Sequence, residues 1–371
     1  MARIIRVGGS SSATSWHDAL NDLRADDVLM LGPGYYYLPR GRELTDITIK
    51  GTGSLAEDTT IYGNISVSED SRYVTLENLC VNTTTDNNSI FVPIETNGYV
   101  TLRNCCVKGY GTDTAAIAIN GKVTLELYST KITGGSVSMY ENADFRLEMN
   151  DSQIDYPSEN YCALALEGHG TAIINNSNIR GSINTFFKTN AELDLNNSEV
   201  DYVLLHGQTW MNILNSTLTA KDDSCLYLSD DCWSNIVNSK FNGGIYIDKK
   251  THTIIQNSTI DRMILVDEAK VTMNNSIVME HADFQDKSSC EATRVTFIGN
   301  MNYEYFLALS GHAQLNGHDL ILHPNQADLA VQDEAKLKTN VLAAQTDTLN
   351  VEYNKRPNVY ILGMHWTAKK K

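Results

Sequence analysis

The chain has 371 residues, 42% of them hydrophobic and 20% charged, with a formal net charge of −16. This balance leaves ample apolar material for a core and excludes a nucleic-acid binder, which needs a clustered cationic surface. Seven cysteines, an odd number without Cys-x-x-Cys, exclude a zinc ribbon and argue against a disulfide-stapled scaffold.

Residues 1–9 lack the apolar run of a signal peptide, and no stretch approaches the length of a membrane span, so the default expectation is a cytoplasmic chain. Ser15 to Arg24 reads as a short amphipathic helix with a serine cap. It leads into the apolar segment Asp27-Val28-Leu29-Met30-Leu31 and a Pro33-Gly34-Tyr35-Tyr36 turn.

A repeat then runs through most of the chain. Its clearest copies are Ile174-Asn175-Asn176-Ser177-Asn178-Ile179, Leu195-Asn196-Asn197-Ser198-Glu199-Val200 and Ile255-Gln256-Asn257-Ser258-Thr259-Ile260. Twelve copies centre on Asn78, Asn104, Ser129, Asp151, Asn176, Asn197, Asn215, Asn238, Asn257, Asn275, Val295 and Gly317, spaced 18 to 26 residues apart. The residue three positions later is apolar in every copy, from Val81 to Ile298 and Leu320. Between copies lie alternating segments such as Ile117-x-Ile119, Leu164-x-Leu166 and Ile245-x-Ile247, the period of strands with one face inward. One such coil cannot bury its own face, whereas stacked coils share a core.

An amide at each tight bend can donate and accept, so the asparagines are expected to point inward and bond their neighbours along the stack. On that view triplets such as Asn215-Ser216-Thr217 and Asn257-Ser258-Thr259 are closed to glycosylation, and Cys80 and Cys106, at equivalent places in adjacent coils, stack as reduced thiols. The repeat over residues 60–350 resembles the asparagine ladder of the pectate-lyase-like superfamily. The helix, strand and Pro-Gly-x-Tyr turn of the N-terminus look like the opening of many of its members. The resemblance implies an all-β, right-handed parallel β-helix solenoid of about 12–14 coils with a short N-terminal capping helix and an inward asparagine ladder. Residues 1–60 form the cap and first coil, 61–350 the coils, and 351–371 a C-terminal cap, with Val359 to Trp366 closing the end, and the basic tail Lys369-Lys370-Lys371, all in one structural domain.

Function on such a stack lies on its outer faces. With Ile94, Ile119, Met139, Leu166, Leu205, Leu228, Ile247 and Val266 inward, their successors point out, among them Glu95, Glu167, His206, Ser229, Asp248 and Asp267. Asp248 and Asp267 are then carboxylates on adjacent coils, roughly 5 Å apart by strand spacing, as retaining glycosidases hold theirs; they are the candidate catalytic pair. Tyr227 and Tyr246, with Ser229, His206 and Glu167, are the candidate ligand-binding residues, since tyrosine offers an apolar face and a polar edge to a sugar. An exposed acidic strand face is the plain alternative. No cofactor or metal site is assigned, though close carboxylates keep Ca²⁺ open.

Gly168-His169-Gly170 resembles one element of the polygalacturonase signature, but the accompanying acidic motifs are missing or out of order, so it reads as a glycine turn. Loops 82–89, 108–114, 155–161, 219–224, 299–304 and 321–327 are expected to build cleft walls, with Tyr110, Asp113, Tyr156, Glu159, Tyr161, Tyr303 and Tyr305 in or beside them. Without a complete catalytic signature, the first expectation is a non-enzymatic binding or scaffold module presenting a rigid face to a polysaccharide or protein partner. The alternatives are a polysaccharide lyase or glycoside hydrolase, and a tailspike or cell-surface fibre segment. The sequence leaves oligomeric state open.

Overall fold

The computed structural model describes every residue except 1, 9–12, 84, 86, 112–113, 159–160, 347, 356–357 and 371, and the backbone alone of 221–223. Asp113 and Glu159 therefore lie outside the described residues. The chain forms two compact units, Met1–Leu193 with Ser198–Val200, and Asp194–Asn197 with Asp201–Lys371. Both are parallel β-solenoids, together about sixteen turns.

In the first unit most coils contribute one strand to each of three parallel sheets, and in the last of them a single strand, Asn178–Thr185, serves both sheet II and sheet III. Sheet I stacks Ile4–Val7, Val28–Leu31, Ile47–Gly51, Tyr73–Glu77, Asn97–Arg103, Lys122–Tyr128, Asp144–Asn150 and His169–Asn175. Sheet II includes Thr59–Tyr62, Cys80–Asn82, Cys106–Lys108 and Lys131–Thr133. Sheet III includes Ile65–Val67, Ile90–Val92, Ala115–Ile119, Ser136–Met139 and Leu164–Leu166. The helix Trp16–Asn21 is capped by Ser15, whose Oγ accepts the Asp18 N–H at 3.1 Å, and it buries Ala19 and Leu20.

The second unit keeps separate sheet I strands from Gln208–Leu214 to Ser289–Thr293, after which Gln314–His323 and Lys336–Ala344 run on from sheet I into sheet II. Its sheets II and III run together in long bulged strands, Thr217–Leu228, Lys240–Ile247, Thr259–Leu265 and Ile277–Phe284. Phe241, Phe284, Phe297 and Phe306 are completely buried in its core.

The inner ladder is made of serine. Ser152 N–H donates to Ser177 Oγ and Ser177 N–H to Ser198 Oγ, both at 3.1 Å. In the second unit Ser216, Ser239 and Ser258 donate in the same way to Ser239, Ser258 and Ser276 at 3.1–3.2 Å. The hydroxyls of Ser152, Ser177, Ser216, Ser239, Ser258 and Ser276 in turn donate to the carbonyl two residues back, as Ser258 does to Gln256 at 2.8 Å, and Ser198 donates to the Ile174 carbonyl at 3.3 Å. One small side chain thus satisfies a donor and an acceptor that the bend would otherwise bury unpaired.

The expected inward asparagines are corrected accordingly. Asn176, Asn197, Asn215, Asn238, Asn257 and Asn275 all turn the chain at φ of 49–52° and are exposed. Asparagine is enriched there because it tolerates left-handed backbone better than other residues with a Cβ. Some amides do bond along the outer rim, Asn104 to Asn78 at 2.7 Å and Asn238 to Asn215 at 3.2 Å. The burial argument against glycosylation of Asn215 and Asn257 therefore does not hold.

Four further expectations change. The bends assigned to Val295 and Gly317 are made by Arg294 and Asp319, at φ 52° and 54°, which turns Phe297 and Leu322 inward. Ile94 is 49% exposed, and the inward residue of its coil is Val92. Cys80 and Cys106 are register partners joined in a disulfide, not stacked thiols. The stretch assigned as a C-terminal cap makes further rungs, Asn358–Leu362 and His365–Lys370.

The serine relay gives a test. Ser258→Ala removes the acceptor of the buried Ser239 N–H and should cost about 1–3 kcal/mol. Asn257→Gly keeps the left-handed bend available and should cost under about 0.5 kcal/mol. Urea unfolding of both variants checks the order; a larger loss from Asn257→Gly would refute the serine assignment.

Candidate functional site

The ridge singled out in the sequence lies in the second unit. Tyr227 and Tyr246 are register partners on adjacent rungs, their rings 5.0 Å apart and 3° from parallel, with the His206 ring 5.9 Å from that of Tyr227. The rungs stack the rings on each other, so the faces expected to meet a sugar are used within the column.

Tyr227 donates its hydroxyl to Asp248 Oδ2 at 2.7 Å. Asp248 is 7% exposed, and its Oδ1 has no partner among the described residues. Burial first, then the Asp248 hydrogen bond and charge, push the Tyr227 phenol above its ordinary value and keep it protonated. Ser229 is buried beside this pair at 1% exposure.

Asp267 does not pair with Asp248. The coil's inward residue is Leu265, so Val266 is the rung neighbour of Asp248, its N–H bonding the Ile247 carbonyl at 3.0 Å. A bulge between Ile260 and Arg262 accompanies this register. Asp267 instead belongs to a column of left-handed bends with Gly207, Asp230, Lys249, Asp286, Gly311 and Asp333. Carboxylates in this column accept the N–H of the preceding bend: Asp230 from Gly207 at 3.2 Å, Asp286 from Asp267 at 3.3 Å and Asp333 from Gly311 at 3.3 Å. Asp230 also meets His206 Nδ1 at 3.3 Å and the Lys249 ammonium. Burial tends to raise its pKa, but Lys249, the Gly207 N–H and His206 bring it below the ordinary value.

Glu167 belongs to the first unit, where burial and then the charge of Glu141 raise its pKa. The expected glycine turn is confined to Gly168, a bend where a Cβ would sit 2.2 Å from the Ala143 carbonyl oxygen, because His169 and Gly170 already open the sheet I strand His169–Asn175.

The expected cleft walls appear elsewhere in the second unit. A groove of about 940 Å³ is bounded by the 299–301 and 324–328 segments. Three acids, Asp261, Glu280 and Asp328, face it together with the amides of Asn300, Asn325, Gln326, Gln345 and Asn350. Met279, Ile298, Met301, Pro324 and Leu349 supply apolar patches. Asn300 Nδ2 bonds Glu280 Oε1 at 3.3 Å, Asn325 Nδ2 bonds the Gly299 carbonyl at 3.0 Å, and Asn350 Nδ2 bonds Asp328 Oδ1 at 3.4 Å. Next to Asp261 and Glu280 in sequence, Arg262 donates to the Tyr303 hydroxyl at 3.3 Å and His281 stacks on the Tyr303 ring at 5.1 Å. His281 Nδ1 meets the Tyr305 carbonyl at 2.7 Å, so that nitrogen carries the proton. Tyr305 donates to the buried Glu352 at 2.8 Å.

Loops 299–304 and 321–327 carried this signal in the sequence, but Glu280, Asn300 and Asn350 did not stand out among many turn amides. The stacked Trp210 and Trp233, 5.4 Å apart and 58% and 37% exposed, were also missed; they are visible as tryptophans at matching places in consecutive repeats. Tyr110 and Tyr161 are exposed as expected, whereas Tyr156 is buried.

Parallel sheets wound coil on coil define an all-β parallel β-solenoid. No family model matches the chain, and no curated protein matches it. The crystal structure of pectate lyase Pel9A is similar at 10% identity with a TM-score of 0.19, over 93% of this chain and 78% of that one. Among the described residues no helix is long and apolar enough to cross a membrane.

Tyr227 provides a pH test. Its folded pKa is raised, so its contribution is present below the unfolded tyrosine value of about 10 and is lost as pH rises through the folded pKa. Tyr227→Phe should cost about 1–3 kcal/mol at neutral pH by leaving Asp248 without its donor. The gap between wild type and variant should narrow above pH ~10. Urea midpoints across the alkaline range measure it, and a gap that widens would contradict the Tyr227–Asp248 bond.

Proposed function

We propose that the second unit binds an uncharged, polyhydroxylated chain, a neutral polysaccharide segment, in the groove between residues 299–301 and 324–328. The observation that carries this reading is the groove's lining: five amide side chains and three carboxylates, with no lysine or arginine among the described lining residues. Amides and carboxylates donate to and accept from sugar hydroxyls, and the Met, Pro and Leu patches suit the apolar faces of pyranose rings. A polyuronate would bring like charge against Asp261, Glu280 and Asp328 without a cation in the lining to offset it.

The Tyr227–Asp248 ridge supports an enzymatic reading less well. Asp248 lacks a carboxylate on the neighbouring rung to act as its partner, and a paired acid is what glycoside hydrolysis requires. Binding without turnover therefore comes first, with a lyase or hydrolase as the alternative.

The experiment is a panel of immobilised neutral glucans, mannans, xylans and galactans beside polygalacturonate and alginate, with product analysis on every bound polymer. Retention on a neutral polymer without released oligosaccharide is expected, weakened about tenfold or more in Asn300→Ala/Asn350→Ala, since each lost hydrogen bond is worth about 0.5–1.5 kcal/mol. Selective retention on the uronates, or retention that the double variant leaves unchanged, would overturn the proposal.

A further inference from the structure

The first unit holds a second, unrelated cluster. Cys80 and Cys106 are register partners in sheet II with Cα atoms 4.5 Å apart, 3% and 6% exposed. Val81 and Val107, their neighbours, point into the core, so the two sulfurs lie on the outer side of the sheet. The segment that crosses them is the short turn Ala56–Asp58. Asn78 fixes the approach to that turn by donating to the Gly51 and Gly53 carbonyls at 3.2 and 2.8 Å. Asp58 accepts the Leu55 N–H at 2.9 Å, which holds the turn itself.

The result is that a carboxylate oxygen of Glu57 and the two sulfurs all lie within 4.8 Å of one another, the one group of three such ligand atoms among the described residues. The Glu57 carboxylate has no hydrogen bond or ion pair among the described residues. Its neighbour Asp58 is committed to the backbone. Cys105 is excluded from the cluster, because its thiol turns to the Leu76 carbonyl at 3.3 Å and burial raises its pKa to about 11.

We propose that Glu57, Cys80 and Cys106 form a redox-gated site for a thiophilic divalent ion such as Zn²⁺, closed by the disulfide and opened by its reduction. A dithiol reductant breaks the S–S bond, giving two electrons and two protons to the sulfurs and becoming a disulfide itself. The ion then replaces the two thiol protons, forming two metal–sulfur bonds and one metal–oxygen bond and releasing two protons. Tetrahedral Zn–S bonds of about 2.3 Å place two thiolates roughly 3.8 Å apart, a span that adjacent rungs supply without backbone movement. A fourth position is left to water. The two states exclude each other, since sulfurs joined in the disulfide are no longer thiolates.

Cobalt titration of the full chain tests the proposal. The protein is reduced with a phosphine in the absence of oxygen, its fold is confirmed by circular dichroism, and Co²⁺ is added alone. One Co²⁺ per chain with a thiolate-to-cobalt charge-transfer band, displaced by Zn²⁺, is expected. The oxidised protein should show no band, and Cys105→Ser should behave as wild type. Glu57→Gln, an exposed position that leaves the sheet untouched, should keep the band and weaken binding about tenfold or more. A band in oxidised protein, its absence in reduced and folded protein, its survival in Cys106→Ser, or unchanged affinity in Glu57→Gln would each overturn the site.

Discussion

Parallel rungs can be stacked only if every bend between them disposes of its own backbone donors and acceptors. In the coils from Ser152 to Ser276 the serine relay meets that requirement with one small residue, as at Ser258, whose Oγ takes the Ser239 N–H and gives its proton to the carbonyl two residues back. Because the relay is buried, its residue must be small and must both donate and accept. Because the chain must reverse direction just before it, the preceding residue must tolerate left-handed backbone. The Asn-Ser dipeptide is these two demands written side by side, one met outside the wall and one inside.

The same rung spacing governs the outer faces. Like residues at matching positions are brought to stacking or bonding distance, so they are consumed by each other. Tyr227 lies on Tyr246, Trp210 on Trp233, and the aspartates of the second column of bends on their neighbours' N–H groups. Such columns look like binding surfaces in a sequence because their chemistry is rich and repeated, yet the repetition is what uses the chemistry up. Concave surface comes where the repeat is interrupted, and the groove bounded by residues 299–301 and 324–328 is such a place.

This explains which parts were legible. The coil period, the apolar residue three places after each bend and the capping helix depend on residue type alone and can be read directly. The direction of the asparagines cannot, since two consecutive polar residues at a bend fit either orientation until φ is known. Arg294 escaped notice as a bend because arginine carries no turn preference, and the neighbouring Val295 took its place. The pairing of Asp248 with Asp267 failed for a related reason. In Met263-Ile264-Leu265-Val266 every residue is apolar, and an unbroken apolar run does not say which members face in. One step of register then moves a carboxylate from the strand face to the bend, as a one-residue slip always must.

The regular wall also determines where chemistry can be added. A residue on a strand face meets its counterparts above and below at about 4.8 Å, whatever those are, so a functional pair must either use adjacent coils or be brought in by a crossing segment. Cys80 and Cys106 use adjacent coils, and Glu57 arrives on a crossing turn fixed by Asn78. The second unit's groove follows the other route, with Asp261 and Glu280 from the bulged strands and Asn300, Asn325 and Gln326 from the loops that interrupt them. Both sites sit where the period is broken or crossed, and neither draws on the serine relay. A solenoid can therefore vary its loops coil by coil without disturbing the bends that hold it together.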